Sequence, residues 1–178
     1  MAHQVNPSLL LRQVARIGIC AAIGYFSWNG HVNALALLPL IIFIWRDSNH
    51  RRDAFVALLA YYLAAGRGLL TGANVFFNEP FGEPGIWYGI AIWVAPSVVL
   101  ASTWAIGWST SHKSLRLIAI FCVLSLPPIG IIGWANPLTS ACALFPGLGW
   151  IGFGLTLILF AVIAQTKRYA LLLPFAAI

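Results

Sequence analysis

The chain has 178 residues, of which 61% are apolar and only 8% charged, with a mean hydropathy of +0.89. A soluble domain carries about 25% charged residues, and a chain of this length has no interior large enough to hide so much apolar surface from water. The formal net charge of +6 sits in short clusters between apolar runs, which points to a membrane rather than to a nucleic-acid surface.

In chain order the apolar runs predict an all-α, polytopic membrane helix bundle with six full spans and the start of a seventh, as one transmembrane domain over residues 1–178. The first span begins at Leu9 or Val14 and ends at Trp28, followed by a tight turn over residues 27–31. The second, Val32 to Trp45, is short for the roughly 20 residues a span requires. A polar block, Arg46 to Asp53, precedes the third span, Ala54 to Phe76. A loop from Phe77 to Pro84 leads to the fourth, Ile86 to Trp108. After a break at Ser109 to Arg116, the fifth runs from Leu117 to Trp134. Pro127-Pro128 lies inside it and removes two backbone donors, so a kink is expected. A Gly- and Pro-rich loop, Ala135 to Gly149, precedes the sixth span, Trp150 to Ala164. Tyr169 to Ile178 opens the seventh.

Nine of the ten basic residues fall in segments on one side of this layout, and the loops on the other side hold Glu79 and Glu83. The positive-inside bias then predicts a bacterial inner-membrane protein with a cytoplasmic N-terminus. Trp28, Trp45, Trp87, Trp104, Trp108, Trp134 and Trp150 lie near span ends, as interfacial aromatics would.

Arg67 is the basic residue that breaks the pattern. It lies fourteen residues past Asp53, about 21 Å along a continuous helix. A charge at that depth needs a partner, because an unpaired Arg near the bilayer centre costs at least about 2.5 kcal/mol. Thr71, Asn74 and Asn78 share its helical face. Arg67, Thr71 and Asn74 therefore form the candidate ligand-binding set, suited to a carboxylate or phosphate. A structural role is the alternative, with Arg67 donating to carbonyls freed by Pro96 or Pro127-Pro128. Beside this stripe, Ala60, Ala64, Gly68 and Gly72 make a small-xxx-small seam for close helix contact.

No catalytic constellation is legible. Cys20, Cys122 and Cys142 lie far apart, no His has a second ligand at metal spacing, and Glu79 and Glu83 are separated by Pro80 and Gly82. No cofactor, no metal and no direct nucleic-acid binding are expected. Membrane lipids are the expected partners.

The layout, with its coupled first two spans and polar third span, is similar to the membrane part of bacterial apolipoprotein N-acyltransferases. Two stretches, Gly133 to Gly154 (GWANPLTSACALFPGLGWIGFG) and Gly68 to Asn74 (GLLTGAN), more closely resemble TraB-like conjugal transfer proteins. The resemblance implies an inner-membrane component of plasmid conjugal transfer, with other conjugation proteins as partners. In the acyltransferases, chemistry resides in a nitrilase-like domain after the seventh span, where a Glu-Lys-Cys set works through a thioester. This chain ends at Ile178, inside the expected seventh span, so none of those catalytic residues can be placed in it; a fragment of a longer protein is the favoured expectation, and a stand-alone membrane remnant is the alternative. The rival readings are the membrane half of a lipoprotein N-acyltransferase holding a phospholipid donor, and a small transporter or channel.

Overall fold

The computed structural model describes residues 7–81 and 85–165, the side chains of 7–9 and 78–81 excepted. All regular elements among them are helical. They are α1 (Pro7–Ser27), a 3-10 segment (Val32–Leu37), α2 (Leu40–Arg46), α3 (Arg51–Ala65), α4 (Arg67–Phe81), α5 (Ile86–Gly107), α6 (Lys113–Ser125), 3-10 segments at Ile129–Ile132 and Pro137–Ser140, α7 (Ala141–Leu144) and α8 (Gly149–Gln165).

The six full spans expected are not supported. Among the described residues only α5 is by itself long and apolar enough to cross a membrane, at 22 residues and about 33 Å. Two bent helix pairs qualify only if each counts as one span: α3 with residues 67–77 of α4, bent by 50°, and Pro137–Leu144 with α8, bent by 117°. The causes are local. In the second segment Pro39 separates a 3-10 stretch from the seven-residue α2. In the fifth, the helix stops at Ser125 rather than kinking. Leu126, the residue before Pro127, is extended at ψ 148°, as a residue preceding proline must be. The third is divided at Gly66. The expected loop at Phe77 is helical as far as Phe81, and the Ala135–Gly149 loop contains a 3-10 turn and α7. Glu83, Lys167, Arg168 and the seventh span lie outside the described residues, as do the side chains of Asn78 and Glu79.

The bundle is organised by α3. It runs parallel to α1 and antiparallel to α5. Gln13 of α1 donates to Asp53 Oδ1 at 2.7 Å near the start of α3, and Gly24 touches α3 near its end. A Cβ at Gly24 would lie 2.3 Å from the Tyr61 carbonyl, so the two backbones meet only because that residue has no side chain. Of the expected seam on α3 and α4, Ala64 takes part in this contact, whereas Gly68 and Gly72 face open space.

An aromatic chain forms the core. Trp45 and Trp104 pack edge to face at 6.2 Å, as do Trp104 and Phe121 at 5.4 Å, and Phe121 lies tilted on Phe160 at 5.3 Å, which joins α2, α5, α6 and α8. Trp45 and Trp104, expected at the interface, are fully buried. Burial is affordable because both indole N–H groups are satisfied internally: Trp45 Nε1 donates to the Trp104 carbonyl at 3.0 Å, and Trp104 Nε1 to Tyr62 Oη at 2.9 Å. Trp87 and Trp150 are exposed, consistent with interfacial positions.

One end of the bundle brings Arg16, Arg46 and Lys113 together. Arg46 is buried there, ion-paired with Asp47 at 2.6 Å, and it donates to the Ile163 carbonyl at 3.2 Å. Lys113 donates to the Arg46 carbonyl and Arg16 to the Asp47 carbonyl, so cations cap the end of α2. Ser114 Oγ ties α6 to α8 through the Ala161 carbonyl at 2.6 Å. These bonds clamp α1, α2, α6 and α8 together at one level.

Candidate functional site

Gly66 sets up the site. As the residue closing α3 it has φ −84° and ψ 8°, and a Cβ there would meet the Tyr62 carbonyl at 3.1 Å and Trp134 Nε1 at 3.2 Å. The helix breaks here and restarts at Arg67, which becomes the first residue of α4 rather than a mid-span residue. Its long side chain reaches across to the end of α1. The guanidinium stacks on the Tyr25 ring at 4.1 Å, donates to the Ala64 carbonyl at 3.1 Å, and makes a long contact of 3.5 Å with the Trp28 carbonyl. The acceptors are therefore main-chain groups at two helix ends. The proline-freed carbonyls anticipated from sequence do not serve.

Arg67 engages two of the five N–H donors that a guanidinium carries, and the second bond is weak at its length. No carboxylate pairs with it among the described residues. Thr71 is exposed and Asn74 half-buried, and neither side chain makes a hydrogen bond among the described residues. The spacing thus places the three on one face of α4, but the structure joins only Arg67 to the bundle. It turns toward α1, away from Thr71 and Asn74.

Beside Arg67 lies a cleft of about 310 Å³ lined by Trp28, Ala65, Gly66, Gly68, Leu69, Trp134 and Ala135. Its walls are held by a relay centred on Tyr61. Trp28 Nε1 donates to Tyr61 Oη at 3.0 Å, and Tyr61 Oη donates to the Ala135 carbonyl at 2.7 Å. Ala135 has φ +54°, a left-handed conformation that a non-glycine residue holds only when its surroundings impose it. Trp134 Nε1 is buried against Gly66 with no hydrogen-bond partner among the described residues. Sequence reasoning missed this cleft. The Gly- and Pro-rich run around Trp134 was its one visible signal, and nothing in the spacing says that Trp134 returns to Gly66.

Among the described residues no three His, Cys, Asp or Glu side chains gather to hold a metal. Cys20 is buried and Cys122 and Cys142 are exposed, and no thiol is hydrogen-bonded to a basic side chain among the described residues. Arg67 keeps guanidinium donors that no acceptor among the described residues takes up.

No protein-family model matches the chain, and no solved structure does. The chain is 36% identical over 164 residues to the conjugal transfer protein TraB of Agrobacterium fabrum (strain C58), an alignment covering 83% of this chain and 37% of that protein. It is 30% identical over 132 residues to the "probable conjugal transfer protein TraB" of Sinorhizobium fredii (strain NBRC 101917 / NGR234), covering 73% of this chain and 33% of the relative. The chain thus spans about a third of the length of the curated relatives it matches. Over most of its own length this all-helical chain is similar to one part of proteins named for conjugal transfer, and in that sense it is TraB-like.

Proposed function

We propose that the chain is an integral inner-membrane component of plasmid conjugal transfer, working beside other conjugation proteins, with its N-terminus in the cytoplasm. The similarity to two proteins named TraB carries the conjugation part of this reading. The membrane part is supported by α5, which suits a hydrocarbon core of about 30 Å, and by the large apolar side chains left outside. Leu11, Val75, Phe76, Ile106, Ile131 and Ile151 are each more than two-thirds exposed. Large apolar side chains turned outward in this number favour a lipid-facing surface. The collection of Arg16, Arg46 and Lys113 at one end supports a cytoplasmic placement of that end.

Within this reading Arg67, with Thr71 and Asn74 along the same face, contacts an anionic group, a carboxylate or phosphate, at the opposite end of the bundle. The donors left over on Arg67 favour this role. The acyltransferase and transporter alternatives gain no comparable support.

Deleting the segment in frame from its gene tests the conjugation role. Plasmid transfer frequency should fall while plasmid copy number stays constant, and unchanged transfer would refute it. Reporter fusions at Asn49 and Glu83 test topology. They should signal cytoplasm and periplasm respectively, and the reverse pattern would invert the orientation.

A further inference from the structure

We infer that the groove between α5 and α6 is a binding site for one anionic phospholipid of the leaflet facing the basic end. This rests on the membrane reading above. The groove has a volume of about 440 Å³, within the range of small-ligand sites. Ile106, Ala119, Val123 and Ile129 form its apolar length, and Arg116 sits among its lining residues at the end nearest Lys113. It exists because α5 and α6 cross at Gly107, where a Cβ would lie 2.4 Å from the Ile120 side chain.

Arg116 is half-buried, and its guanidinium makes no hydrogen bond, ion pair or ring contact among the described residues. Arg16, Arg46, Lys113 and Arg67 each donate to a carbonyl or carboxylate of the bundle. Arg116 is therefore the half-buried cation whose partner the described chain does not supply. It lies in the first turn of α6, and helical side chains lean toward the helix start. Its fork is thereby directed to the headgroup level of the basic end. From Arg116 to Val123 the groove runs about 10 Å along the helix, a path for one acyl chain. Lipid tails gain no hydrophobic free energy by moving from bilayer to groove. Selectivity must therefore come from the guanidinium, whose planar fork matches a phosphate with two hydrogen bonds. A neutral zwitterion offers the same phosphate but adds an ammonium that Arg116 repels.

The full chain is reconstituted in phosphatidylcholine vesicles containing a minor share of phosphatidylglycerol. Exposed Cys142 is replaced by Ser, and a fluorophore is attached to Cys122, exposed on α6 next to Val123. Brominated phosphatidylglycerol should quench it about tenfold more per molecule than brominated phosphatidylcholine, the ratio expected for one charge-assisted contact. Arg116→Gln should abolish that preference, and Arg116→Lys should keep part of it. Ala119→Phe, which fills the groove and retains the charge, should abolish it too. Equal quenching of the parent protein, or a preference surviving in Arg116→Gln, overturns the site. A preference surviving in Ala119→Phe overturns the groove in favour of general surface attraction. A label shielded from both lipids in an inserted protein means that a protein segment covers the groove, which also overturns it. Failure of the protein to insert at all defeats the membrane reading itself, and is read separately from resistance to carbonate extraction.

Discussion

Helices α3 and α4 are each 15 residues long and adjacent in the chain, yet they live in different surroundings. On α3, Ala54, Ala57, Leu58, Tyr61 and Tyr62 are completely buried between α1, α2 and α5. On α4 no residue from 67 to 77 is buried, and Val75 and Phe76 are 70% exposed. Hydropathy does not separate them. What does is the number of neighbours: past Gly66 the chain bends by 50° away from α1, and α4 is left packed chiefly on α5, where Gly89 lets the helix approach the Leu70 carbonyl. The first helix is built for support. The second leaves most of its surface uncovered by the described chain.

The strongest way to break this comparison is to cut into each side of it equally. Trp104→Ala should destabilise the bundle by about 3–5 kcal/mol, since it empties the middle of the aromatic chain and orphans Tyr62 Oη. Phe76→Ala should change stability by no more than about 0.5 kcal/mol. Denaturant unfolding in detergent micelles measures both, and similar losses would erase the distinction.

Glycines sharpen it at the level of backbone approach. Gly24→Val should separate α1 from α3 and cost about 2–3 kcal/mol, because its Cβ cannot avoid the Tyr61 carbonyl. Gly68→Ala and Gly72→Ala meet nothing within 4 Å and should stabilise α4 by up to about 1 kcal/mol each. Thermal melting of the three variants ranks them.

At the junction itself, Arg67→Ala removes a ring stack and one good hydrogen bond, and should cost about 1–2 kcal/mol. Arg67→Lys should recover part of that stability. If plasmid transfer nevertheless stays low in the Lys variant, the planar fork is needed for more than folding. Tyr61→Phe breaks the relay between Trp28 and the Ala135 carbonyl and should cost about 1 kcal/mol, read as a lowered melting temperature.

The smallest expected effect is on α4. Asn74→Ala and Thr71→Val should leave stability within about 0.5 kcal/mol of the parent. A drop in transfer frequency from either would support the ligand-binding face, and no drop would confine the site to Arg67.

The sequence by itself determined the class of structure. Its long, nearly uncharged apolar runs pointed to helices, and those at Ile86 to Trp108 and Trp150 to Ala164 locate α5 and α8 to within a residue or so. It also marked Arg67 as a charge in need of acceptors. Span count and partner identity were decided by tertiary structure. Hydropathy is a sum over a window and cannot register that Gly66 would crowd Tyr62 and Trp134, so one predicted span became a bent pair. Position near a span end likewise marked Trp45 and Trp104 as interfacial. Only the fold supplies the Trp104 carbonyl and Tyr62 Oη that let both rings sit in the core. Arg67 found one acceptor close by, the Ala64 carbonyl at the end of α3, and its ring stack and longer contact at the end of α1, on Tyr25 and Trp28, 39 or more residues away in sequence, where no local pattern could have pointed.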